Sequence, residues 1–156
     1  MASTTFSGPV TSNNGFIGAL TGNVTGNVTG NIAGSGSITH TPTAINATAT
    51  ATAAQVATGY ITSTSVGTVT ITLPTGTLLG AALGATQGTV FDLYIDNTAG
   101  ASVVTVAVAT NGILSSGAAD TPGSFGDLTI AAGATGLARF TLMFSSATAY
   151  VFTRTA

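Results

Sequence analysis

The sequence predicts an all-β protein: an extended Gly-rich N-terminal β arm over residues 1–36, a Thr/Ala-rich connector over 37–58, and an antiparallel β-sandwich or jelly-roll-like domain over 59–156, assembled as a trimer. Three observations predict it. Residues 16–34 carry a four-residue apolar repeat, the chain beyond residue 59 is a series of short β-type runs, and charge is nearly absent, at 4% of residues.

In the arm, Phe16, Leu20, Val24, Val28 and Ile32 stand four apart, with Gly18, Gly22, Gly26, Gly30 and Gly34 midway between them. Successive side chains of a strand alternate faces, so one face reads large apolar, Gly, large apolar, Gly, and the other reads Thr and Asn. The apolar knobs recur about every 13 Å, at roughly 3.3 Å per residue. The glycines between them admit a second backbone. A helix is the rival geometry for a spacing of four, but each repeat carries a Gly that costs about 1 kcal/mol against Ala, together with Asn and β-branched residues. A disordered Gly/Asn/Thr tether is the other alternative, since isolated strands are marginal in water. The regular knobs favour order on assembly. The unit is too short for a solenoid coil of ~20 residues, so partner strands are expected from other copies of the chain, most simply three around an axis. Phe16, Leu20, Val24, Val28 and Ile32 are then the assembly seam, with Gly18, Gly22, Gly26 and Gly30 permitting close packing. Each buried knob would contribute about 1.5–3 kcal/mol.

The connector, with its alternating Ala and Thr, reads as a weak strand, and 53–57 as a helical turn. From Gly59 the runs are rich in Val, Ile, Thr, Phe and Tyr and are bounded by Gly, Pro, Asn and Asp. Candidate strands are 60–64, 68–73, 89–96, 102–110, 125–130, 137–144 and 148–153, with Leu78 to Leu83 as a short helical patch. Phe91, Leu93 and Ile95 share one face of the third, opposite Asp92, Tyr94 and Asp96. Phe140, Leu142 and Phe144 share one face of the sixth, opposite Arg139, Thr141 and Met143. Such alternation marks half-buried strands of a common core. Residues 97–101 and the pair Asn111, Gly112 supply turn chemistry.

The chain has 2 basic and 4 acidic residues, all beyond residue 90, and no Lys or Glu. A free monomer usually holds its net charge well away from zero, so association is expected to be the purpose of this composition. Two arginines and a slightly acidic balance remove the electrostatic footprint of nucleic-acid binding. With no cysteine, no disulfide framework or thiolate metal site forms. Residues 1–8 lack a signal-peptide pattern and no apolar run approaches the ~20 residues that span a bilayer, so the protein is expected to be soluble and not exported by a signal of its own.

Catalytic chemistry is thin. The one histidine, His40, lies in the connector and reads as a polar linker residue, no nucleophile elbow is present, and no acid/base pair suggests itself. No catalytic residue, cofactor or metal site is expected. Asp92 and Asp96, with Asn97 adjacent, carry the oxygens that a hard cation takes, but two carboxylates without a dense oxygen cluster make a poor calcium site. Cross-strand pairing with Arg139 is the favoured reading. Asp120 and Asp127 flank a Pro/Gly loop and read as turn residues. Asn23, Asn27 and Asn46 each begin an Asn-x-Thr acceptor pattern, read here as structural polar positions.

The segments FSGPVTSNNGF at 6–16, TGNVTGNVTGN at 21–31, LPTG at 73–76, FDLYIDN at 91–97 and LARFTLMF at 137–144 together resemble the head decoration, or cement, proteins of tailed bacteriophages. The resemblance spans nearly the whole chain. It implies a structural virion protein, a homotrimer on the outer capsid surface that binds the major capsid protein and reinforces the shell around three-fold and quasi-three-fold positions. The rival is a trimeric tail-fibre or receptor-binding tip contacting host glycans, weakened by the absence of Trp and by only three tyrosines, Tyr60, Tyr94 and Tyr150. A surface-layer or fibre-forming subunit, built by open head-to-tail contacts, is a third reading.

Overall fold

The computed structural model describes residues 39–114 and 128–155, and it is largely β. The arm, the seam residues within it, Asp120, Asp127, Asn23 and Asn27 lie outside the described residues. The strands are β1 (Thr43–Ala44), β2 (Ala49–Thr50), β3 (Tyr60–Thr62), β4 (Val69–Thr72), β5 (Val90–Asp96), β6 (Val104–Ala107), β7 (Gly112–Leu114), β8 (Thr129–Ile130), β9 (Leu137–Ser146) and β10 (Ala149–Arg154). Two helices, α1 (Ala53–Ala57) and α2 (Gly76–Leu83), and a 3-10 turn at Gly133–Thr135 complete the elements.

The strands form a six-stranded sheet in the order β1-β3-β5-β9-β10-β7 and a four-stranded sheet in the order β2-β4-β6-β8. From β1 to β8 the chain changes sheet at every strand, so successive passes stack on one another. The consequence corrects the antiparallel expectation. The pairs β1–β3, β3–β5, β2–β4, β4–β6 and β7–β10 are parallel, while β5–β9, β9–β10 and β6–β8 are antiparallel. A parallel return needs a long crossover, and here that crossover runs through the other sheet. Each sheet also keeps a face outside the core, so its strands alternate as antiparallel strands do. The sequence pattern therefore reports which side is wet, and not which way the neighbour runs.

The corners of the passes are aligned. Ile45, Ser63 and Asn97 follow β1, β3 and β5, and their amides donate to the carbonyls of Thr62, Asp96 and Gly136 at 2.9, 2.8 and 2.7 Å. Both sheets contribute to one hydrophobic core, with Ile71, Val104, Val106 and Ile130 from the four-stranded sheet and Ile61, Leu93, Ile95, Phe140, Leu142 and Phe152 from the six-stranded one. Phe140 and Phe152 stack with centroids 4.8 Å apart. The passage read as a connector supplies β1, β2 and α1, and its Ile45, Ala51 and Val56 are buried in the same core.

The helices start where the sequence provides caps. Thr52 and Gln55 form a reciprocal capping box at α1, with the Thr52 amide donating to Gln55 Oε1 at 2.8 Å and the Gln55 amide to Thr52 Oγ1 at 3.2 Å. Thr75 caps α2, which ends at Gly84 in the left-handed conformation, φ 59°. Among the described residues no helix is long and apolar enough to cross a membrane.

Tyr150 is fully buried, and its hydroxyl donates to the Pro74 carbonyl at 3.0 Å. Burial penalises the phenolate and pushes its pKa up to about 12. A raised pKa means that this contribution to stability is complete below the ordinary tyrosine value near 10 and is lost as pH rises towards 12. At about 1.4 kcal/mol per unit, the loss reaches roughly 2–3 kcal/mol by that pH. A phenolate absorbance titration should show Tyr150 ionising late and together with unfolding. Ionisation of all tyrosines near the ordinary value with the fold intact would contradict it.

Candidate functional site

The outer face of the six-stranded sheet brings together Tyr60, Asp92, Tyr94, Asp96 and Arg139. Alternation along β5 sends Asp92, Tyr94 and Asp96 outward while Leu93 and Ile95 enter the core. Along β9, Arg139, Thr141 and Met143 point outward opposite Phe140, Leu142 and Phe144. These facings match the sequence reading. Register then sets neighbours that the sequence could not: Tyr60 faces Tyr94, Tyr94 faces Arg139, Asp92 faces Thr141 and Asp96 faces Leu137.

Two hydrogen-bonded groups result. Asp92 accepts from Arg139 at 2.6 Å and from Thr141 Oγ1 at 2.7 Å, the expected cross-strand ion pair. Asp96 accepts from the Tyr60 hydroxyl at 2.6 Å and, on its other oxygen, from the Thr98 hydroxyl at 2.6 Å and the Thr98 amide at 2.8 Å. All four carboxylate oxygens thus have protein partners, which argues against Asp92 and Asp96 as cation ligands. The Asp92 pKa is lowered, chiefly by the Arg139 hydrogen bond, and the Asp96 pKa is lowered, chiefly by the Thr98 side chain. Lowered carboxylate pKa values stabilise the fold above the ordinary range, an effect lost as pH falls through the depressed values. The Tyr60 pKa is raised, first by its bond to Asp96.

Tyr94 lies between the two groups, with the Arg139 guanidinium carbon 5.9 Å from its ring centroid and the His40 ring 5.8 Å away. His40 sits against Gly59, φ 77°, where a Cβ would collide with the imidazole, and its Nδ1 is 2.9 Å from the Thr58 carbonyl. His40 is therefore packed at the rim of this face, a placement that its position in the connector gave no means of reading. Asn46 is engaged too, its Oδ1 accepting from the Thr64 amide at 2.8 Å, which fits a structural role. Tyr150 takes no part in the face. On the four-stranded sheet the corresponding outer positions are Thr70, Thr72 and Thr105, all uncharged.

The outer face offers aromatic and apolar surface, with both of its carboxylates already held by neighbouring side chains. Such an arrangement suits recognition by contact more than proton transfer, since a general base needs a free site towards its substrate. Comparison of the chain with protein-family models, with curated proteins and with solved structures finds no match.

Proposed function

We propose that this chain is a structural virion protein that decorates and stabilises the outer surface of a phage capsid, binding the major capsid protein as a homotrimer. The observation that carries the reading is the use made of the domain's few ionisable side chains. Asp92 bonds to Arg139 and Thr141 and Asp96 to Tyr60 across adjacent strands, with Thr98 of the following turn on the other Asp96 oxygen, which serves a static binding face. In this reading the two sheets form a sandwich-like body, and no catalytic group or cofactor is required. Phe16, Leu20, Val24, Val28 and Ile32 form the trimer seam, with Gly18, Gly22, Gly26 and Gly30 admitting neighbouring backbones. The segments that resemble head decoration proteins support the same assignment.

Quantitative mass spectrometry of purified particles tests it. A decoration protein should approach the major capsid protein in copy number, whereas a scarcity like that of a fibre tip would overturn the reading. The seam is tested on the full chain by light scattering: Val24→Asp with Val28→Asp should lower the mass from that of a trimer, and an unchanged mass would remove the seam from the proposal.

A further inference from the structure

We infer that the outer face of the six-stranded sheet is the surface that docks on a second protein, and that the partner surface is apolar and close to neutral. The inference rests on the capsid reading only for the identity of that partner. Val90, Met143 and Val151 are register neighbours on β5, β9 and β10, and form an apolar row across three strands. Val90 and Met143 are 53% and 52% exposed, and Leu137, facing Asp96 at the other end of the same face, is 54% exposed. Between these apolar ends lie Tyr60, Tyr94 and Arg139. Tyr, Met and Arg are the residue types enriched in protein interfaces, and Tyr and Arg in their energetic centres.

The polar groups decide between a protein and a glycan. Recognition of sugar hydroxyls uses directional acceptors and donors that are open to the ligand, whereas here Asp92 is held by Arg139 and Thr141, and Asp96 by Tyr60 and Thr98. Covering such a face leaves no carboxylate without a partner, so the desolvation that penalises buried charge is largely met in advance. Charge complementarity points the same way. The Asp92–Arg139 pair cancels, and Asp96 is the remaining charge, so a strongly charged partner gains little. The face is also only partly apolar, as expected of a surface that stands in water before it is covered.

Full-length protein and capsid shells stripped of this chain provide the test, by co-sedimentation. Val90→Asp and Met143→Asp change outward positions and should each weaken pelleting at least tenfold, while Val66→Asp, on the bend between β3 and β4, should bind as wild type. Thermal melting checks that each variant is folded. If wild type pellets and both face variants pellet equally well, the docking face is wrong and the capsid reading stands. If wild type does not pellet, the capsid reading falls and the partner with it. Binding to a glycan array that is lost in Tyr94→Ala would overturn a protein partner, as would a drop in oligomeric mass for Met143→Asp, which would place the face between copies of this chain.

Discussion

Replacing Asn97 with Ala should destabilise the domain by about 3 kcal/mol, more than any exposed substitution on the outer face. Asn97 is fully buried at the corner after β5, and its Nδ2 donates to the carbonyls of Ser102, Ile130 and Ala131 at 2.9, 3.2 and 3.0 Å. Its main chain ties the same corner, through its amide to Gly136 and its carbonyl from Gly100. The side chain thus joins the end of β5 to the start of β6 and to the segment leaving β8. Ala removes the donor from the buried Ile130 carbonyl and from the part-buried Ser102 and Ala131 carbonyls, at about 1–3 kcal/mol for a buried group left unpaired. For a domain of this size the midpoint of thermal unfolding should fall by about 10 °C. Asn97→Asp should be at least as harmful, because a carboxylate would face three carbonyl oxygens. Ser63 supplies the contrast. It occupies the same corner one pass earlier, and its buried hydroxyl has no protein partner, so Ser63→Ala should stay within about 1 kcal/mol of wild type. If urea denaturation ranked Ser63→Ala as the more damaging change, the corner would not be organised around Asn97.

The fate of Asn97 in the sequence shows where reading a chain succeeds and where it stops. As part of 97–101 it reads correctly as turn chemistry, but nothing in one sequence says that a turn residue will be the hub of three segments. The facing of Phe91, Leu93 and Ile95 against Asp92, Tyr94 and Asp96 is legible because burial alternates with period two within one strand. The pairing of Tyr60 with Tyr94 is not legible, because register is set by contacts between segments 34 positions apart in the chain. The Ala/Thr passage reads as a weak strand with a helical turn at 53–57, but its division into β1 and β2, one in each sheet, is not legible for a related reason. Two-residue strands have no period, and these two are fixed by pairing in parallel with β3 and β4. The Asp92–Arg139 pair was within reach because opposite charges on alternating faces of two core strands leave few other arrangements.

Gly80→Ala should destabilise the domain by about 2–3 kcal/mol, the reverse of what helix propensity gives. Inside a helix, Gly to Ala is ordinarily a gain of about 1 kcal/mol. At Gly80, however, a Cβ would land on the carbonyl oxygen of Ala147, in the turn between β9 and β10, and would sit 3.3 Å from Phe144 Cε1. Gly76, one turn earlier on the same helix face, would meet the carbonyls of Thr148 and Asn111. These glycines let α2 lie directly on main chain, and main chain cannot step aside as a flexible side chain can. Overpacking of this kind costs about 1–3 kcal/mol. Two controls separate contact from propensity. Ala82→Gly, at an exposed helix position, should cost about 1 kcal/mol by propensity alone. Gly84→Ala, where φ is 59° and nothing lies within 4 Å, should cost about 1–2 kcal/mol by backbone strain alone. The consequence extends to the outer face, because α2 feeds β5 and packs near β10, the strands that carry Asp92, Tyr94 and Val151. A shift of the helix should therefore disturb docking as well as stability. Gly80→Ala emerging from urea denaturation more stable than wild type would show that α2 has room to move away from the β9–β10 turn.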